Sequence, residues 1–182
     1  MNKRKITIIS IIFLCVAIFA VGTTVAFLVA RSNPVENVFT IGDIKLSLTE
    51  TTGTSYRLLP GKTVDKNPHV LVKGGSEECW LFIRISKSDH FDDYIEYQIS
   101  DGWELLDGHR DVYFMKVAAQ DTDTDVGILK DDCVRVKDTL TEEKMTEITV
   151  LPKITFKAYA IQSHSIAAES DAWAQILEEV TE

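Results

Sequence analysis

The chain changes its hydrophobic pattern twice. From Ile6 to Ala30 it is almost unbroken apolar sequence, then it alternates in short runs, and at its C-terminus the spacing becomes helical. Phe39 and Ile41 alternate, and Ile44, Leu46 and Leu48 alternate in the opposite phase. The slip falls at Gly42-Asp43, where a bulge or sharp bend would turn both halves toward one core. "TETTGTSYRLLPGKTVDKNP" reads as a loop region with a Pro60-Gly61 turn. Pro68 can only begin a strand or sit at its edge. Val70 and Val72 then share one side of "HVLV", and "VKGGSEE" reads as a hairpin turn.

"CWLFIRIS" is the strongest strand. Cys79, Leu81, Ile83 and Ile85 point one way, Trp80 and Phe82 the other, so both faces are covered over its first half. "YIEYQIS" puts Ile95, Tyr97 and Ile99 inward. Further strands run through Val112 and Phe114, through "CVRVKD", and from Lys153 to Gln162. Short strands separated by turn signals, without long alternating helices, predict an all-β antiparallel sandwich. "LTEEKM" adds a helical turn. At the C-terminus Ala172, Trp173, Ile176, Leu177 and Val180 share one helical face, with Ser170 or Asp171 as cap. The expected organisation is 1–26 as signal peptide (or a membrane anchor to 30), 27–43 as extended segment and first strand, 44–168 as sandwich and 169–182 as helix.

The apolar run follows a basic cluster, Lys3, Arg4 and Lys5, as in a secretory signal. It is also long enough to span a bilayer, which needs ~20 residues. Thr24-Val25-Ala26 offers small residues at the positions that a signal peptidase reads, predicting a cut between Ala26 and Phe27; Leu28-Val29-Ala30 is a poorer site because Leu28 is large. Uncut, the run is a membrane anchor. Either way the rest of the chain lies outside the cytoplasm, by the positive-inside bias.

Charge narrows the partners. The chain holds 19 basic and 28 acidic residues, net -9; without residues 1–26 the balance is 16 against 28, net -12. Nucleic-acid binding needs a basic face, which this balance argues against. Outside the cell a disulfide can persist, so Cys79 and Cys133 form the candidate bridge, two buried free thiols being the alternative. Neither HExxH nor a Gly-rich phosphate loop is present, and His69, His90, His109 and His164 are scattered as loop or strand-edge residues. No catalytic or cofactor-binding residue is assigned. "DTDTDVGILKDD" opens like a calcium loop, with Asp121, Asp123 and Asp125 as candidate ligands. Gly127 then comes one position late, and Asp132 stands where a bidentate Glu belongs. The alternative is a solvated acidic hairpin loop.

Several short motifs together resemble the TasA/camelysin family of exported Gram-positive proteins with SipW-type signal peptides, in particular a clostridial-type branch. They are the Ala26-Phe27 junction, the segment Asn37, Phe39, Thr40, Gly42, Asp43, the turn Pro60-Gly61-Lys62, the pair Lys66 and Pro68, and the closing "FKAYAIQ…AW". The resemblance implies a jelly-roll-like or Ig-like β-sandwich, export through a SipW-type signal peptidase, and a role in extracellular fibres of a biofilm matrix. It also carries a metallo-endopeptidase label, for which no motif is present; a monomeric surface binding domain is a further alternative. After a cut at Ala26, the segment from Phe27 through Phe39 and Ile41 is apolar and extended, and could add as a strand to a neighbouring copy. The alternative is that it pairs within its own sheet or stays disordered.

Overall fold

The computed structural model describes residues 29–31, 38–52 and 55–181. Residues 1–28, with Ala26 and Phe27, lie outside them; of the alternative anchor to residue 30, Val29 and Ala30 are described and lie in a strand. The described residues form a mostly β protein. In chain order its elements are β1 (Val29–Arg31), β2 (Val38–Ile41), β3 (Leu46–Thr49), β4 (Ser55–Arg57), β5 (Thr63–Asp65), β6 (His69–Val72) and β7 (Cys79–Lys87). Then follow α1 (Phe91–Tyr94), β8 (Ile95–Glu96), β9 (Glu104–Leu105), β10 (Val112–Val117), β11 (Thr124–Gly127), β12 (Cys133–Val136), α2 (Glu142–Glu147), β13 (Ile154–Gln162) and α3 (Glu169–Thr181).

A five-stranded sheet, ordered β2-β13-β7-β10-β9, is the centre of the molecule. Two three-stranded sheets, β11-β6-β3 and β5-β12-β8, contribute to one of its faces, and β1 pairs with β4 in a separate ribbon. β7 explains the layering. Its odd positions, Cys79, Leu81, Ile83 and Ile85, enter a main core with Val70 and Val72 of β6 and Val134 and Val136 of β12. Trp80 and Phe82 face the other way, into a second core with Tyr159, Ile161, Trp173 and Ile176. β13 pairs with β7 in antiparallel register, Tyr159 opposite Phe82 and Lys157 opposite Arg84. The two-sided halves of both strands thus coincide. Beyond them Arg84, Ser86 and Lys157 are exposed and the sheet has one dry face.

Four expectations change. The sheets are not wholly antiparallel, because β2 runs parallel to β13. The phase slip at Gly42 does not turn both halves toward one core. Gly42 has φ +101, the region that favours glycine, and there the chain leaves the five-stranded sheet for β3 of another sheet. Phe39 and Ile41 therefore face the second core, Ile44 and Leu48 the main one. "VKGGSEE" likewise joins two sheets and is no hairpin. At the C-terminus α3 starts at Glu169, so Ser170 and Asp171 lie in its first turn and do not cap it. The helical turn in "LTEEKM" is α2, capped by Thr141 Oγ1 accepting from Lys144 N at 3.3 Å.

Candidate assembly edge and polar clasp

β2 is an edge strand, and its sequence shows why it forms. Val38, Phe39 and Ile41 are β-branched or aromatic, types that pack well on a half-buried pleat. Alternation sends Val38 toward the main core and Phe39 and Ile41 toward the second. Phe39 packs against Tyr159 with ring centroids 6.5 Å apart. All four residues are half-buried. Val38, Phe39, Thr40 and Ile41 pair with Ala158, Tyr159, Ala160 and Ile161. On its other side β2 carries no strand among the described residues. Of the expected assembly segment, Phe39 and Ile41 are thus seated in the chain's own sheet, and Phe27 lies outside the described residues.

The acidic loop is spread over several partners. Asp123 Oδ1 accepts from Gly74 N at 2.9 Å and Oδ2 from Lys73 Nζ at 3.0 Å. These bonds, the backbone one first, hold its carboxyl below its ordinary pKa. Asp125 Oδ1 lies 3.0 Å from His69 Nδ1, while Asp121 is exposed. Of the three candidate calcium ligands, Asp123 and Asp125 turn to different neighbours and Asp121 faces solvent. Among the described residues no group of three His, Cys, Asp or Glu side chains is arranged to hold a metal ion.

His69 makes a second contact, Nε2 to Asp132 Oδ1 at 3.0 Å. Carboxylates only accept, so both contacts are hydrogen bonds when the ring carries two N–H groups, as imidazolium. Burial pulls the His69 pKa down, but the bonds to Asp125 and Asp132 outweigh it and hold it above the ordinary value. The two acids sit on opposite ring nitrogens, so no single ion could touch all three side chains. The clasp joins β6, the neighbouring β11, and the turn Lys130–Asp132 that leads into β12. Asp131 and Asp132 in that turn have φ 55 and 50.

The expected Cys79–Cys133 bridge is not formed: both thiols are free, Cys79 buried and Cys133 half-buried. Cys79 opens β7 beyond the Val72 end of β6, and Cys133 follows Asp132, which bonds His69 at the other end of β6. Burial, with Glu78 nearby, pushes the Cys79 thiol up to about 11. Burial and the carboxylates of Asp131, Asp65 and Asp132 raise Cys133.

A buried ion pair escapes any reading of spacing. Lys66 Nζ contacts Glu50 Oε1 at 2.7 Å, and Tyr56 Oη donates to the same oxygen at 3.0 Å. Burial is the main cause that raises the Tyr56 phenol to about 12. The only hint in the sequence is an acid just past one strand and a lysine just before the Pro68 that opens another. Comparison with family models, with curated proteins and with solved structures finds no match to this chain. Among the described residues no helix is long and apolar enough to cross a membrane.

Proposed function

We propose that this chain is an exported subunit of an extracellular fibre, a jelly-roll-like sandwich that assembles by exchanging β2 between copies. The observation that carries the reading is β2 itself. It is a four-residue edge strand pivoting on a glycine at φ +101, and it holds on through one parallel ladder, Val38 against the main core and two side chains in the second core. The β2 of a neighbouring copy could make every one of these contacts. Exchange therefore costs no packing in the product, and strand addition supplies main-chain bonds for affinity and side-chain pockets for specificity. The basic cluster and long apolar run support export through a SipW-type signal peptidase at Ala26-Phe27, with the membrane met during passage. The acidic balance of the remainder supports a soluble subunit before assembly.

A lock tests this. Val38 and Ala158 are register partners, so Val38→Cys with Ala158→Cys, in a Cys133→Ser background, can tie β2 to its own sheet. The reduced protein should form filaments visible by electron microscopy, and the oxidised monomer should not. Filaments growing equally well from the oxidised monomer would rule out β2 exchange.

A further inference from the structure

Glu50 and Lys66 are a carboxyl and an amine held in contact away from water. Their side chains are 11% and 3% exposed. Lys66 Nζ lies over the rings of Tyr56 and Phe156, 5.6 and 5.7 Å from the centroids. A cavity of about 30 Å³ beside Lys66 is walled by apolar side chains including Leu58, Val134 and Ile154. Glu50 Oε1 also lies 3.4 Å from Thr52 Oγ1.

We propose that Lys66 and Glu50 condense to an intramolecular amide, a covalent link between the segment after β3 and the segment between β5 and β6. The reaction needs no oxidant and no cofactor. The Lys66 ammonium passes one proton to the Glu50 carboxylate, leaving a neutral amine and a carboxylic acid. The amine attacks Cδ and the Nζ–Cδ bond forms. The nitrogen releases a further proton, the Cδ–OH bond breaks, and hydroxyl and proton depart as one water. Tyr56 Oη and Thr52 Oγ1 donate to Oε1, where negative charge gathers in the tetrahedral state. Both keep the amide carbonyl as acceptor in the product.

Three physical effects favour the link. Reacting groups held in contact have effective concentrations of ~10⁵–10⁸ M when well oriented. In bulk water the ionised pair opposes condensation, but burial penalises each ion, so the neutral amide gains relative to the ions. The low exposure of both side chains limits the access of hydrolytic water to the finished bond. The inference stands apart from the assembly reading, since it uses none of the pairings that β2 makes.

Tryptic digestion of the denatured full chain reads the bond directly. The expected product joins peptide 46–57 to peptide 63–73, lighter by one water than the two together, with no cleavage after Lys66. Recovery of free peptide 46–57 together with cleavage after Lys66 would overturn the proposal. Lys66→Met should release peptide 46–57 unmodified, and a modified peptide persisting in that variant would place the chemistry elsewhere and also overturn it. The unsubstituted chain decides the matter even if the variant does not fold.

Discussion

The two faces of the central sheet are closed by different means. The face toward the smaller sheets is covered by hydrogen-bonded strands and filled largely with aliphatic side chains, among them Val70, Leu81, Ile83 and Val136, all fully buried. The opposite face is covered by α3, flanked by β2 at the sheet edge, and is richer in aromatic side chains. Trp173 stands 5.2 Å from the Phe82 ring and 5.3 Å from Tyr159. α3 adds no strand to any ladder, so side-chain contact holds it, helped by Trp80 Nε1 donating to Ile166 O at 3.1 Å in the preceding segment. Ladder bonds couple one face to the whole fold. The other face is a lid whose loss leaves every ladder of the main core in place.

The largest effect expected separates the faces. Ile83→Ala leaves a cavity in the strand-closed core and should cost about 2–5 kcal/mol, lowering the urea midpoint of all elements together. Trp173→Ala removes a larger ring, for which about 3–5 kcal/mol is typical, but the loss should fall on α3. Amide exchange should rise across Glu169–Thr181 while β7 and β13 keep their protection. Equal loss of protection in β7 would mean that the lid and sheet are one cooperative unit, and the comparison would fail.

A smaller effect, confined to the strand-closed side, comes from the His69 clasp. Its folded pKa is raised above the unfolded value of about 6.5. The clasp's contribution is therefore fully present below that unfolded value and lost as pH rises through the folded one. With both acids well exposed, about 0.5–1 kcal/mol is expected. His69→Gln should lower stability more at about pH 5.5 than at about pH 8.5, either side of that range. A deficit independent of pH would show that the ring only packs.

What the sequence discloses follows from the range of each interaction. The two-sided burial of β7 is legible because both parities of "CWLFIRI" are apolar up to Arg84. The inward parity of Ile95 and the strands at Val112 and Cys133 follow from local alternation in the same way. The region from Thr49 to Pro68 reads as loop because β4 and β5 are only three residues each, too short to set a period. The short α1 at Phe91–Tyr94 is missed for the same reason. The parallel docking of β2 on β13 joins segments far apart in sequence, and nothing local to Phe39 or Ile41 discloses which core they enter. His69 and Asp132 are 63 residues apart, so the clasp leaves no spacing to find. The Asp121, Asp123, Asp125 pattern is legible as a pattern but misleading as a site, since Asp123 meets Lys73 and Gly74, Asp125 meets His69, and Asp121 faces solvent.

The smallest effect tests how well the lid is packed. Two tryptophans serve the aromatic face. Trp80 donates through Nε1 to Ile166 O, whereas Trp173 Nε1 is buried without a hydrogen-bond partner among the described residues. An unmet buried donor carries a desolvation penalty of about 1–3 kcal/mol. Trp173→Phe removes that donor along with part of the ring, so the gain offsets much of the lost contact area. Trp80→Phe removes a satisfied donor and leaves Ile166 O without it, so loss of contact and loss of the bond add. The two changes take away the same atoms, and the difference between them carries the polar contribution together with the Lys116 ammonium that lies over Trp80, 5.5 Å from its ring centroid. Trp173→Phe should lie within about 1 kcal/mol of the unsubstituted protein and above Trp80→Phe by a similar amount, read from urea midpoints at constant slope. Equal losses for the two would mean that a water or another acceptor satisfies Trp173 Nε1. The lid would then be as fully bonded in its polar groups as the strand-closed face, and looser only in lacking ladders.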